Sequence, residues 1–134
     1  MKKNKTRLVW LVDDDSVSNM LHAEFFKEYF PRILIKTFEK AEEGLSELKQ
    51  IIKSKEDILI PDLILLDINM PVMNGWEFLE DFHDSMIFMT EQIGIVMLTS
   101  SIATEDYRKS LHFPAVIAYL TKPLDLNKLE GIIS

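Results

Sequence analysis

The chain has 134 residues, the size of one domain, and its 15 Lys and Arg against 22 Asp and Glu leave a net charge of −7. That balance excludes sequence-independent binding to nucleic acid and docking on anionic lipid, both of which need a positive face. Apolar residues make up 47% of the chain, enough for a packed core, and the lack of cysteine removes disulfide frameworks, thiolate metal sites and Cys nucleophiles.

Short apolar runs alternate with segments of helical period. Leu8-Val9-Trp10-Leu11-Val12 is continuous and apolar, as a strand buried on both faces should be. Residues 1–7 before it are basic, but this run is too short for a signal-peptide core or a membrane span, and a cytoplasmic location is expected. Val17, Leu21 and Phe25, with Met20 and Phe26, predict an amphipathic helix packed through those side chains. Ile33-Leu34-Ile35 and Phe38, interrupted by Lys36 and Thr37, predict an edge strand. Ala41, Leu45, Leu48 and Ile52 mark a second helix, with residues 53–57 as a solvated loop after it.

Leu63-Ile64-Leu65-Leu66 is the most clearly buried strand, and Phe78, Leu79, Phe82 and Met86 give a third helix after Asn74-Gly75. Ile93 and Ile95-Val96-Met97-Leu98 form a fourth strand. Thr104 is expected to cap a short fourth helix, with Glu105 and Asp106 at its positive end. Val116-Ile117-Ala118-Tyr119-Leu120 is the fifth strand, and Leu126, Leu129 and Ile132 begin a last helix. Five βα units in sequence mean an α/β fold, a single (βα)5 doubly wound domain with a parallel sheet covered on both faces. One domain over residues 1–134 is expected, with an ordered core of about 7–133.

Each buried strand ends in polar residues: Asp13-Asp14-Asp15, Asp67, Thr99-Ser100-Ser101 and Thr121-Lys122-Pro123. A parallel sheet brings all these ends to one edge, where α/β proteins bind ligands. Two carboxylates about 4 Å apart repel by roughly 4 kcal/mol at an effective dielectric of 20. A lysine and a divalent cation relieve that repulsion, and Mg²⁺ suits a site of a few carboxylate oxygens. Singly, Asp67 reads as a turn residue, Lys122 as a solvated charge and Thr99 as a capping hydroxyl. Together they are the parts of a phosphoryl-transfer site.

The segments Leu11-Val12-Asp13-Asp14-Asp15, Leu65-Leu66-Asp67-Ile68-Asn69-Met70-Pro71 with Gly75, Met97-Leu98-Thr99-Ser100, and Tyr119-Leu120-Thr121-Lys122-Pro123-Leu124 resemble the receiver domain of two-component response regulators along nearly the whole chain. The resemblance implies a flavodoxin-like sheet in the order 2-1-3-4-5. It implies that Asp67 accepts a phosphoryl group from phosphohistidine on a sensor histidine kinase or histidine phosphotransfer protein. Mg²⁺ would be held by Asp14, Asp67 and the Asn69 backbone carbonyl, with Asp13 acting through water. Lys122 would pair with Asp67 before transfer, and Thr99 would meet a phosphoryl oxygen, letting Tyr119 turn inward to alter a protein-binding face. Pro123 would set the turn after Lys122, in the family usually through a cis bond. Asn69 and Ser101 are the positions that, in the family, bear on the lifetime of the acyl phosphate. Such a domain is a switch that catalyses only its own phosphorylation and dephosphorylation.

The chain departs from the family at Asn74, where many members carry Asp, in a somewhat long segment between Asp67 and Thr99, and in a last helix about two turns short. No output domain is legible, so the resemblance implies a stand-alone receiver acting on a downstream protein target, with a phosphorylation-linked homodimer left open. His22, His83 and His112 read as surface or groove residues on helices, Met70, Met73, Met86 and Met89 as packing, and Trp76 as helix packing or a partner contact. Two alternatives compete. Asp13-Asp14-Asp15-Ser16-Val17 also fits a haloacid dehalogenase-like phosphatase, with Asp13 as nucleophile and Asp15 as acid/base, although Asp67 is then unexplained. A pseudo-receiver would use the fold only to dock.

Overall fold

The structure, a computed structural model, describes residues 5–100 and 104–133. The elements alternate as expected: β1 (Leu8–Val12), α1 (Ser16–Tyr29), β2 (Leu34–Phe38), α2 (Ala41–Lys53), β3 (Leu63–Asp67), α3 (Gly75–Met86), β4 (Gly94–Thr99), α4 (Thr104–Ser110), β5 (Val116–Thr121) and α5 (Leu126–Glu130). The five strands are parallel in the order β2-β1-β3-β4-β5, and β2, the strand broken by Lys36 and Thr37, lies at an edge.

Strand alternation divides the core into two layers. Trp10, Val12, Ile64, Leu66, Ile95 and Met97 face α2 and α3, where Leu48, Phe78, Leu79 and Phe82 pack. Val9, Leu11, Leu63, Leu65, Val96 and Leu98 face the opposite way, toward Phe26 of α1 and Leu129 of α5. Because β1 and β3 are buried on both faces, their carboxyl ends, and the aspartates that follow, sit deep in the sheet edge.

Helix α1 buries only part of the face that its apolar periodicity predicts: Phe26 is in the core with Phe25 packed against it, but the first two turns differ. Val17, Met20 and Leu21 are 55%, 57% and 60% exposed, whereas Asn19, His22 and Phe26 are buried. The reason is polar. The Asn19 side-chain amide donates to the Asp13 carbonyl at 2.9 Å and to the Phe38 carbonyl at 3.2 Å, which fixes the helix on the ends of β1 and β2. His22, one turn later on the same side, is thereby carried inward.

Smaller differences have local causes. The segment after α2 contains a 3-10 turn over Asp57–Leu59, and the extra length between β3 and β4 is a 3-10 turn over Ile87–Met89. Thr104 is the first residue of α4 rather than its cap, with Glu105 and Asp106 in the first turn as expected. His112 lies in the turn after α4, not on a helix. Met70, Met86 and Met89 are buried, Met73 packs against the same cluster, and Trp76 is buried against Phe113 with the Lys109 ammonium 4.8 Å above its ring. Helix packing therefore accounts for Trp76.

If Asn19 is the clasp that orients α1, Asn19→Ala leaves the buried Asp13 carbonyl without its donor. It should lower unfolding free energy by about 1–3 kcal/mol in chemical denaturation. Met20→Ala, on the exposed side, should stay within about 0.5 kcal/mol of wild type.

Candidate phosphoacceptor site

The acidic crevice is assembled from strand ends. Asp13, immediately after β1, accepts the Asp15 amide at 2.9 Å through one oxygen and the Lys122 ammonium at 2.6 Å through the other. Asp15 caps α1, accepting from Val17 and Ser18, as a short polar side chain before a helix should. Asp67 closes β3 and is 7% exposed. Asp13, Asp14 and Asp67 each offer a carboxylate oxygen, and these oxygens lie within 4.8 Å of one another.

Two local devices hold the crevice open beside Asp67. Asn74 and Glu77 form a reciprocal capping box at the start of α3, each side chain taking the other's amide at 2.9 Å, so Asn74 serves here as a helix cap. Gly75 then passes so close to β3 that a Cβ would stand 2.6 Å from the Asp67 carbonyl oxygen. Glycine is required there for close approach.

Thr99 is buried at the end of β4, and its carbonyl accepts the Lys122 amide at 2.7 Å, which ties the ends of β4 and β5 together. The Lys122–Pro123 peptide is cis. Tyr119 of β5 is half-buried, its ring edge-on to Tyr107 of α4 at 5.8 Å, and its hydroxyl is buried without a hydrogen-bond partner. Asn69 and Ser100 are exposed beside the crevice, and Ser101 lies outside the described residues.

The expected ion pair of Lys122 with Asp67 is present at 3.5 Å, and a shorter one to Asp13, at 2.6 Å, stands beside it. Asp13 can offer Lys122 a short contact because its other oxygen is fixed by the Asp15 amide, so the carboxylate is already oriented. Both oxygens of Asp13 are thus engaged and Asp15 is committed to α1, which does not suit the phosphatase roles of nucleophile and acid/base. His22, read as a surface or groove residue, is the latter: it is buried in the fold and lines the cavity beside Lys122. Burial and the neighbouring Lys122 charge hold its pKa below the usual histidine value, against an opposing pull from Asp13. Its neighbours on α1 suggest a water-facing stripe, so nothing in the periodicity marked it as inward-facing.

Asp67 carries the electrostatic signature of the site. Burial first, and the Asp13 and Asp14 charges with it, push its pKa up to about 6, with Lys122 opposing the shift. The Lys122 ammonium is held above its ordinary value by Asp13 and Asp67, despite burial acting the other way. Three hard oxygen donors around one point match the preference of Mg²⁺, and Lys122 covers only one side of them. Beyond Lys122 a cavity of about 430 Å³ opens between α1 and the β5–α5 turn, walled by Val17, His22, Phe25 and Pro123. The geometry is that of a nearly buried carboxylate beside a lysine ammonium and two further carboxylates.

Residues 9–134 match the family model described as the response regulator receiver domain. The chain is 28% identical over its full length to the probable C4-dicarboxylate response regulator DctR of Halalkalibacterium halodurans, and spans 53% of that protein, about half its length. It is similar in structure to a two-component response regulator from Cytophaga hutchinsonii, with a TM-score of 0.86 and 28% identity over 96% of this chain and 95% of that one. It is also similar to the phosphorylated cyanobacterial phytochrome response regulator RcpA, with a TM-score of 0.72 and 27% identity over 95% of this chain and 88% of that one.

An Asp67→Asn substitution should stabilise the fold when no divalent cation is present. A carboxyl whose folded pKa is raised favours folding in its protonated form, so the penalty is absent at about pH 4 and complete above about pH 6. Denaturant unfolding in a chelating buffer should show the variant about 1–2 kcal/mol more stable near pH 7, with the gap closing toward pH 4.

Proposed function

Because its residues 9–134 place this chain in the response regulator receiver family, we propose that it is a phosphorylation switch in which Asp67 takes a phosphoryl group from phosphohistidine. One observation carries the reading. Asp67 lies with Asp13 and Asp14 around a single point, with a lysine ammonium 3.5 Å from its carboxylate and a buried hydroxyl residue at the next strand end. The similarity to a response regulator solved in phosphorylated form supports it.

In the transfer an Asp67 oxygen attacks phosphorus, the P–N bond to the donor imidazole breaks, and an acyl phosphate forms on Asp67. Since the nucleophile must be the anion, a carboxyl with a pKa about 6 is largely available at neutral pH and is lost as the pH falls through that value, and added positive charge favours the anion further. Lys122 supplies one charge and, held between Asp13 and Asp67, reaches a phosphoryl oxygen with little movement. Asp14, Asp67 and the Asn69 carbonyl would hold Mg²⁺, with Asp13 acting through water. Bound there, the ion screens the carboxylates from one another and from the incoming phosphoryl oxygens.

The new dianionic group at Asp67 would draw the Thr99 hydroxyl and so bias the position of Tyr119. Support for this route comes from contiguity. Tyr119 already touches Tyr107 of α4, and its buried hydroxyl lacks a partner, so its present place is held by packing alone. The partners proposed are a histidine kinase or histidine phosphotransfer protein upstream and a protein target downstream, in the cytoplasm. None of the helices among the described residues is long and apolar enough to cross a membrane.

Incubation with Mg²⁺ and a small phosphodonor, followed by intact mass and peptide mapping, tests the reading. A phosphoryl adduct on Asp67, lost in Asp67→Asn and in chelator, is expected. An adduct on Asp13, or turnover of the donor that survives Asp67→Asn, would instead indicate the phosphatase chemistry. Absence of any adduct with both small and phosphohistidine donors would indicate a docking module.

A further inference from the structure

We infer that Val72 is a specificity-determining contact for the protein that delivers the phosphoryl group, an inference that rests on Asp67 being the acceptor. Val72 stands in the loop between β3 and α3, five residues beyond Asp67, with φ at 67° and its side chain 87% exposed. The Met73 amide donates to the Pro71 carbonyl at 2.8 Å across it, which with that φ makes the rare and strained form of γ-turn. A β-branched side chain is the worst choice for this backbone, whereas glycine or asparagine enters it with little strain. Nothing in the fold repays the choice, because the side chain packs on almost nothing. The fold alone therefore does not select valine here.

The position gives the side chain its purpose. Asp67 is nearly buried, so a phosphohistidine can reach it only by entering the crevice, and the protein bearing that histidine must then rest on the rim. The rim at the carboxyl edge of the sheet presents exposed apolar groups around an acidic floor. Val72 and Pro71 stand on the β3 side, Val17 in the first turn of α1, and Pro123 beyond β5. Each of these groups follows a strand end that carries a residue of the acceptor site, and their occupant is the apolar surface flanking the donor's phosphohistidine. A small phosphodonor enters without touching them. Protein donors and small donors should therefore respond differently to changes at Val72.

The test compares Val72→Asn and Val72→Ile with wild type. Two donors are used: phosphoramidate, and a set of histidine phosphotransfer domains already phosphorylated on histidine. Val72→Asn should raise Tm by about 2–6 °C through release of the strained φ. Its rate with phosphoramidate should stay within about twofold of wild type, while transfer from the protein donors should slow by about five- to tenfold. Val72→Ile should retain protein-donor transfer. A fall in Tm for Val72→Asn would mean that the fold does select valine, and would overturn the inference. Equal slowing with both donors, or protein-donor rates the same as wild type throughout, would overturn it as well. Failure of wild type to react at Asp67 with phosphoramidate and with every protein donor is a separate result, which strikes the acceptor assignment and the Val72 contact with it.

Discussion

Everything in the crevice follows from the mutual repulsion of carboxylates that a parallel sheet forces together. Strands β1 and β3 are adjacent and end at the same level, so Asp13, Asp14 and Asp67 converge although more than fifty residues separate the first from the last. Left to themselves, such groups would keep a proton. Lys122, delivered from the far end of the chain by β5, answers part of that charge by gripping Asp13 and standing within reach of Asp67. What remains unanswered lifts the pKa of Asp67 to about 6 and sets up an affinity for added positive charge. The same imbalance would make the site responsive to a cation and, on the function proposed above, to a phosphoryl group.

The rest of the molecule keeps these groups from relaxing apart. Asn19 clasps the carbonyls at the ends of β1 and β2, Asp13 is pinned by the Asp15 amide, and Gly75 lets α3 press against the backbone of Asp67. On the other side of the site, α4 is held through aromatic contacts, with Tyr107 against Tyr119 and Lys109 over Trp76. Such contacts are weaker than a strand ladder.

Much of this was legible in the sequence for a physical reason. A strand buried on both faces must be continuously apolar, so Leu8–Val12 and Leu63–Leu66 stand out, and the polar residues that end them mark the site edge. Helix α1 shows the limit of that logic. Its inward face is set by an asparagine that bonds to strand ends and by a buried histidine, while Val17, Met20 and Leu21 face outward. Hydrophobic periodicity reads burial only where burial is driven by apolar area. The preference of Lys122 for Asp13 was illegible for a related reason, since it depends on which carboxylate is already fixed by a backbone amide. The strained turn at Val72 left no trace either, because valine at that position gives no local signal of positive φ.

The central claim is that the crowded carboxylates hold Asp67 at a raised pKa until positive charge arrives. Side-chain carboxyl ¹³C shifts of Asp67, followed by NMR across a pH titration with and without Mg²⁺, measure this directly. A midpoint about 6 without the ion, moving down by well over one unit when it is added, is the predicted result. A midpoint near the ordinary aspartate value, unmoved by Mg²⁺, would contradict the account.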